Sequence, residues 1–133
     1  MRRIYPIFEG FDVAFASVST IYAEQVPQHR FYVVRNVSRL HRWGAPLLFC
    51  QLVNIILRER PDVVITTGAA PALFALTLAK LLLGAKTIWI DSVANVEKLS
   101  MSGTLAGAVA DVWLTQWPAV SRIPGPAYWG AVL

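Results

Sequence analysis

The sequence is poor in cysteine, in histidine and in charge. Cys50 is the only cysteine among 133 residues, so no disulfide can form within the chain. The two histidines, His29 and His41, are isolated, and no Cys/His/Asp cluster has the spacing of a metal site, so we expect no bound metal. Charged residues make up 15% of the chain and hydrophobic residues 56%. This composition favours a chain that is buried against a membrane surface, a partner subunit or residues outside this sequence.

No apolar run reaches the length of a membrane span. The longest, residues 69–83, has about 15 residues and contains Lys80, whereas a spanning helix needs about 20. The flanking β-branched runs favour a buried crossover helix, with a spanning helix as the alternative. The residues after Met1 form no continuous apolar core with a small-residue cleavage site, so we expect no secretory signal.

The common motifs of catalysis and of nucleic-acid binding are missing too. The sequence contains neither a dinucleotide-binding glycine fingerprint, nor a Walker loop, nor a nucleophile elbow. Its basic residues lack the interleaved aromatic side chains or the recognition helix that would indicate a nucleic-acid partner. The chain therefore shows no complete catalytic apparatus of its own.

The most informative stretch that is present runs from residue 61 to residue 92. Its pattern predicts a strand, a tight loop, a helix and a second strand, with Pro71 in the first turn of the helix and Gly84 after its last. Such a unit implies two parallel strands joined by a right-handed crossover. Ligands of these folds bind where strands end and helices begin. The candidate sites are therefore Thr67 to Pro71 and Asp91 to Asn95.

The rest of the chain extends this unit into one domain over residues 1–133. Further strands are predicted at 11–17, 31–34 and 111–115, and helices at 2–8, 46–60 and 101–110. The fold class is therefore α/β, with a Rossmann-like parallel sheet and helices on both faces. Since no strand precedes the helix at 2–8, we expect the sheet to lack its usual first strand.

The first candidate site is the loop between the first strand and the helix of this unit. Gly68 lets the backbone turn tightly, and Ala69 and Ala70 are poor helix caps. Several backbone N–H groups are then left for an anion such as phosphate or pyrophosphate, with the helix dipole in support. The alternative is that Thr67 caps the helix and nothing binds.

The second candidate site follows the next strand, at the same edge of the sheet. Asp91 could orient a hydroxyl or act as a base, or it could cap the following helix. Ser92 and Asn95 lie close to it in the sequence.

A basic segment lies earlier in the chain. Residues 1–60 hold eight Arg against four acidic residues, and Arg35, Arg39 and Arg42 precede Trp43 in one segment. This combination suits the headgroup layer of a membrane. The alternative is an exposed loop whose tryptophan packs on the core.

Four motifs in order resemble a known family over nearly the whole chain: a TxG loop, GAKTIWIDS, ADVWLTQW and YWG. The set resembles the bacterial glucuronosyltransferase-subunit family of exopolysaccharide synthesis. It is similar to the asparagine-linked glycosylation subunit that carries its catalytic partner to the endoplasmic reticulum membrane.

This resemblance implies the N-terminal half of a GT-B glycosyltransferase, made as a separate chain. Such a chain holds a polyprenyl-diphosphate-linked acceptor, lies peripherally on the cytoplasmic face of the membrane and binds no cofactor itself. A second chain binds the UDP-sugar. The alternative function is a non-catalytic membrane adaptor, or a truncated remnant, that only recruits a partner.

The resemblance also implies roles for individual residues. Thr67, Gly68, Ala69 and Ala70 would line the cleft near the lipid diphosphate, and Ser92 and Asn95 would lie beside the acceptor sugar. Asp91 would be catalytic, although the family usually has Glu there. Trp117, Tyr128 and Trp129 would form the partner interface. Such chains normally begin with a strand and a Gly-rich loop ending in His, which this sequence lacks.

Overall fold

The computed structural model describes residues 6–36 and 44–131. In these ranges five strands and three α-helices follow one another along the chain. They are β1 (Ala14–Ser17), β2 (Arg30–Val33), α1 (Ala45–Glu59), β3 (Val63–Thr66), α2 (Ala70–Leu83), β4 (Lys86–Ile90), α3 (Met101–Ala106) and β5 (Val112–Leu114). All strand pairs are parallel, which confirms the predicted Rossmann-like α/β class.

The strands form two sheets. β1 pairs with β2, whereas β3, β4 and β5 pair in that order. The β3–α2–β4 unit is the predicted strand–helix–strand unit, with Ile65 opposite Ile88 in the register. No ladder joins β1 to β3 within the described residues, so the single sheet that the sequence predicts is divided into two.

Helix α1 packs through the apolar face that its sequence predicts. Leu48, Leu52 and Ile56 recur at intervals of four residues and are all buried. They pack with Leu78 and Ala79 of α2 in one core cluster. Pro46 lies in the first turn of α1, where its missing N–H costs no hydrogen bond. The helix therefore begins and ends close to the predicted bounds.

Helix α2 is apolar on several sides because it contacts both α1 and the three-stranded sheet. Leu78 faces the α1 cluster, whereas Leu76 belongs to a second cluster with Trp89 and Ala106. Gly84 ends the helix in the left-handed conformation, with φ of 65°. The helix has 14 residues, and no helix in the described part of the chain is long and apolar enough to cross a membrane. The predicted crossover helix is thus confirmed over its alternative.

A polar network joins α2 to the amino edge of the three-stranded sheet. The ammonium group of Lys80 donates to the Val109 carbonyl at 2.6 Å and to Asp111 Oδ1 at 2.9 Å. Asp111 Oδ2 also accepts from the N–H and the hydroxyl of Thr87, at 2.8 and 2.9 Å. These bonds hold the pKa of Asp111 well below its usual range, with the largest effect from the Lys80 ammonium group and smaller effects from the two Thr87 donors. Lys80, which interrupts the apolar run in the sequence, is therefore an anchor for the helix.

Several predicted elements differ from those observed. Helix α3 ends at Ala106 instead of residue 110, and the next residue, Gly107, lies against the ring of Trp113, where a Cβ would be 2.7 Å away. A 3-10 helix, Thr20–Gln25, begins with a Ser19 cap between the predicted strands at 11–17 and 31–34, where no element is predicted. Of the predicted helix at 2–8, residues 2–5 lie outside the described residues.

Candidate functional site

The two predicted site loops meet at the carboxyl edge of the three-stranded sheet. Gly68 follows β3 with φ of 90°, and a Cβ added to it would lie 3.4 Å from both Cβ and the backbone nitrogen of Ser92. Ser92 follows β4, which is the parallel neighbour of β3. The positive φ favours glycine at position 68. The structure thus brings the first candidate loop against the second.

The amino end of α2 has no side-chain cap. Ala69 is the N-cap residue, and neither it nor Thr67 makes a capping hydrogen bond. The capping role that is the alternative for Thr67 is therefore wrong. The N–H of Leu73 donates to the Ala69 carbonyl at 3.2 Å, and Pro71 has no N–H to offer. The amides of Ala70 and Ala72 consequently point out of the first turn without a partner in the described chain.

Thr66, the last residue of β3, adds a polar group next to this loop. The residue is buried, and its hydroxyl oxygen has no hydrogen-bond partner in the described part of the chain. Buried hydroxyl groups nearly always have a partner, either in the protein or in bound water or ligand. The sequence analysis missed this residue because nothing in the sequence separates it from the rest of the β-branched strand.

Asp91 is buried beneath the second loop and has four hydrogen-bond donors around it. It is 1% exposed. Its Oδ1 accepts from the Ser100 hydroxyl at 2.8 Å and from the Trp89 indole at 3.3 Å. Its Oδ2 accepts from the Asn95 amide at 3.0 Å and from the Ser100 N–H at 3.2 Å. The donors come from β4, from the loop and from the start of α3, so the carboxylate joins all three.

Two side chains that follow β5 hold the same loop from its other side. Gln116 Nε2 donates to the Asp91 carbonyl at 2.9 Å, and Trp117 Nε1 donates to the Val93 carbonyl at 2.7 Å. Trp117, predicted at the partner interface, is therefore half-buried against the site loop. Gln116, Ser100 and Gly103 are site residues that the sequence analysis missed. Only Ser100 had a sequence signal, as a serine directly before a helix.

The other residues that were predicted to contact the partner or the membrane lie apart from these loops or outside the described residues. Tyr128 is 39% exposed and Trp129 74% exposed, and both come after the single bridge between Ala127 and Leu114. Arg35 is exposed, and its N–H donates to Gln51 Oε1 at 3.2 Å. Arg39, Arg42 and Trp43 lie outside the described residues.

A small cavity opens beside the second loop. It has a volume of about 210 Å³ and lies between residues 97–99 and 119–122, with Lys98 and Arg122 in its lining. A larger cavity of about 530 Å³ lies elsewhere, between residues 6–11 and 25–29. Among the residues that the structure describes, no group of three or more His, Cys, Asp or Glu side chains could hold a metal ion.

The fold is similar to that of a solved glycosyltransferase structure. The crystal structure of MurG from Acinetobacter baumannii superposes with a TM-score of 0.65 over 90% of this chain and 37% of MurG, at 15% identity. At this identity the similarity concerns the fold alone. It confirms the predicted GT-B N-terminal-domain type.

Curated proteins with similar sequences carry the same name in several organisms. The UDP-N-acetylglucosamine transferase subunit ALG14 of Yarrowia lipolytica is 22% identical over 147 residues, which cover 99% of this chain and 68% of that protein. The human protein of the same name is 33% identical over 85 residues, covering 59% of this chain and 39% of its own length. The Candida albicans protein is 37% identical over 70 residues, covering 49% of this chain and 32% of that protein.

The family model described as "Oligosaccharide biosynthesis protein Alg14 like" matches residues 15–132. The match includes β1 to β5 and both candidate site loops. It confirms the resemblance to the asparagine-linked glycosylation subunit. The chain therefore belongs to the Alg14-like family of oligosaccharide biosynthesis proteins.

Proposed function

We propose that this chain is the acceptor-side subunit of a two-chain glycosyltransferase. In this proposal it holds a polyprenyl-diphosphate-linked acceptor, and a partner chain binds the UDP-sugar in a second GT-B half. The observation that carries the proposal is the similarity to proteins named as subunits of a UDP-N-acetylglucosamine transferase, because a subunit acts with a partner. The match to the N-terminal part of a GT-B fold supports the division into two halves.

The acceptor diphosphate is assigned to the loop that follows β3. The amides at the start of α2 have no cap, and the positive end of the helix dipole lies there. Thr67, Gly68, Ala69 and Ala70 would surround the phosphates, and the adjacent Ser92 would contact the first sugar. Asn95 is less available for the sugar, because its amide already donates to Asp91.

The reaction proposed for the assembled cleft is a displacement at the anomeric carbon of the donor sugar. An acceptor hydroxyl oxygen forms the new bond to that carbon, the bond to the UDP oxygen breaks, and UDP leaves with the bonding electrons. The hydroxyl proton passes to a base. The sequence resemblance implies that Asp91 is this base, but the residue is 1% exposed and its carboxylate already accepts hydrogen bonds from within the chain.

The membrane position is part of the same proposal. Helices α1 and α2 expose large apolar side chains, including Leu47 at 55% and Leu81 at 76%. Together with the basic residues around Trp43, these groups would bind a peripheral chain to the cytoplasmic leaflet, which is negatively charged. Whether the product is an exopolysaccharide precursor or another glycan remains a prediction of the sequence resemblance.

Reconstitution of the two chains tests the function. This chain and the nucleotide-sugar-binding chain of the same organism are mixed with radiolabelled UDP-N-acetylglucosamine and a polyprenyl-diphosphate-linked sugar. UDP-glucuronic acid serves as the second donor. We expect label in the lipid product from the pair and from neither chain alone. Transfer by this chain alone would contradict the division of the enzyme into two chains.

A non-catalytic adaptor is the second candidate, because the carboxylate of Asp91, the predicted catalytic residue, is engaged within the chain. The Ser92→Leu variant separates the two functions. If this chain binds the acceptor, the variant raises the KM for the lipid acceptor but not for the donor. An adaptor would leave both KM values unchanged. Thr20→Leu, at an exposed position in the 3-10 helix Thr20–Gln25, is the control away from the site loops.

A further inference from the structure

The carboxylate of Asp91 joins the middle and the end of the loop that follows β4 by hydrogen bonds, and we call this set of bonds the clamp. The two carboxylate oxygens accept from Asn95 in the middle of the loop and from both the N–H and the hydroxyl of Ser100 at the end. The Ser100 hydroxyl also accepts from the Gly103 N–H at 2.8 Å, which caps α3. The carboxylate therefore links the path of the loop to the position of the next helix.

The space around this carboxylate is closed by a glycine. A Cβ on Gly103 would lie 2.4 Å from Asp91 Oδ1 and 2.8 Å from its carboxyl carbon. Heavy atoms of this kind do not approach so closely, so α3 can pack on the carboxylate only where no side chain is present. No room is left on this side for a substrate group.

The hydrogen bonds to both Asp91 oxygens favour the structural role of Asp91 over that of a general base. A general base must reach the proton that it removes, either directly or through one water. Asp91 is 1% exposed and would have to give up hydrogen bonds from its own loop first. Ser92, the next residue along the chain, lies against Gly68 at the edge where the acceptor is proposed to bind.

We propose that Asp91 is a positioning residue, not a catalytic one: its buried carboxylate shapes residues 92–100 into the wall of the acceptor site. The role in acceptor binding depends on the proposed function, whereas the clamp itself does not. Asn95, Ser100 and Gly103 belong to the same unit. Weakening any of their bonds should therefore act in the same direction as changing Asp91.

Amide hydrogen exchange on the isolated chain tests the clamp without any substrate. In Asp91→Asn we expect the amides of Ser100 and Gly103 to exchange at least about tenfold faster. The Ser100 N–H loses a charged acceptor, and the Ser100 hydroxyl, which accepts from the Gly103 N–H, loses the carboxylate that orients it. Ser100→Ala keeps the backbone N–H that donates to Asp91 but removes the acceptor of the Gly103 N–H, so it should speed exchange at Gly103, and it should remain folded if Asp91→Asn does not. Ser102→Ala, whose hydroxyl is not one of the four donors to Asp91, is the control. Unchanged exchange in both test variants would overturn the proposal.

Kinetics of the reconstituted pair test the link to the acceptor. We expect Asp91→Asn, Asn95→Ala and Ser100→Ala to raise the KM for the lipid acceptor, to leave the KM for the UDP-sugar unchanged and to keep the pH profile of the wild-type pair. A purely structural role would lower turnover and change neither KM. Loss of turnover in Asp91→Asn alone, with normal amide exchange, would contradict the proposal and restore the catalytic role. If the wild-type pair transfers no sugar, the proposed function fails, and the exchange experiment still decides on the clamp.

Discussion

Ala69 has a backbone conformation that is usual for glycine and rare for alanine. Its φ is 89° and its ψ 147°, and it is the N-cap residue of α2. Non-glycine residues in this region carry strain of about 1–3 kcal/mol. The residue lies next to Gly68 in the loop to which we assign the acceptor diphosphate, so the strain lies in the candidate site.

Replacing Ala69 with glycine should relieve this strain. We expect Ala69→Gly to raise the free energy of unfolding by about 1 kcal/mol, because the relieved strain exceeds the greater entropy of glycine in the unfolded chain. Urea denaturation measures the change. Ala70→Gly, inside the first turn of α2, should instead lower the stability. Destabilisation by both variants would show that Ala69 is unstrained.

At Gly103, on the buried side of the site, we expect the opposite effect: adding a side chain should lower stability. A methyl group at this position would collide with Asp91 Oδ1, so we expect Gly103→Ala to cost about 1–3 kcal/mol of unfolding free energy. Ser102→Ala, at a position where serine already has a Cβ, should change stability by less than about 0.5 kcal/mol. Equal stability of the two variants would mean that α3 does not pack on the carboxylate as described.

At the scale of whole elements, α2 is held between α1 and the sheet by two different interactions. Leu52 of α1 is 4% exposed in the apolar cluster, whereas Lys80 reaches Asp111 at the amino edge of the sheet. The apolar contacts supply most of the stability, and the polar network makes part of that stability dependent on pH.

The apolar contact is tested by truncation. Leu52→Ala should lower the free energy of unfolding by about 2–5 kcal/mol, because it leaves a cavity between α1 and α2. Leu81→Ala removes the same atoms from a side chain on α2 that is 76% exposed, and it should cost far less. Urea denaturation of both variants gives the comparison, and similar costs would contradict the packing of α1 on α2.

The polar network is tested by acid titration. Since the folded-state pKa of Asp111 is depressed, its contribution to stability is fully present above its unfolded pKa of about 3.9. This contribution is lost as the pH falls below that value. The wild type should therefore lose more stability than Asp111→Asn between pH 6 and pH 3. Asp62→Asn, outside the network, should follow the wild type. Parallel pH curves for wild type and Asp111→Asn would exclude the network.

The elements themselves were largely predictable because their signals are local. Pro46, Pro71 and Gly84 lie where helices begin or end, and the β-branched run after Asp62 is typical of a strand. The end of α3 was missed: Gly107, directly after it, packs against the ring of Trp113, and the run of small residues at 101–110 does not reveal this contact. The same holds for the site: the sequence places Gly68 and Ser92 at one edge, but the bond from Gln116 to the Asp91 carbonyl spans 25 residues.

For the whole molecule, the proposed function requires contact with a membrane. Liposome flotation should show binding to vesicles with anionic lipid and weaker binding to neutral ones. The double variant Arg39→Glu and Arg42→Glu should lose most of the anionic preference, with Arg122→Glu, outside the basic segment, as the control. Unchanged binding of the double variant would remove the basic segment from the membrane surface.

The proposed function depends above all on acceptor binding where the loops after β3 and β4 meet. A polyprenyl-diphosphate-linked sugar with a photoreactive group beside the diphosphate, irradiated with the two-chain complex and analysed by peptide mass spectrometry, tests it directly. We predict cross-links to peptides that contain residues 67–70 and 92–95, and we predict that the unmodified acceptor reduces this cross-linking by competition. Cross-links confined to the partner chain, or to residues of this chain far from that edge, would contradict it.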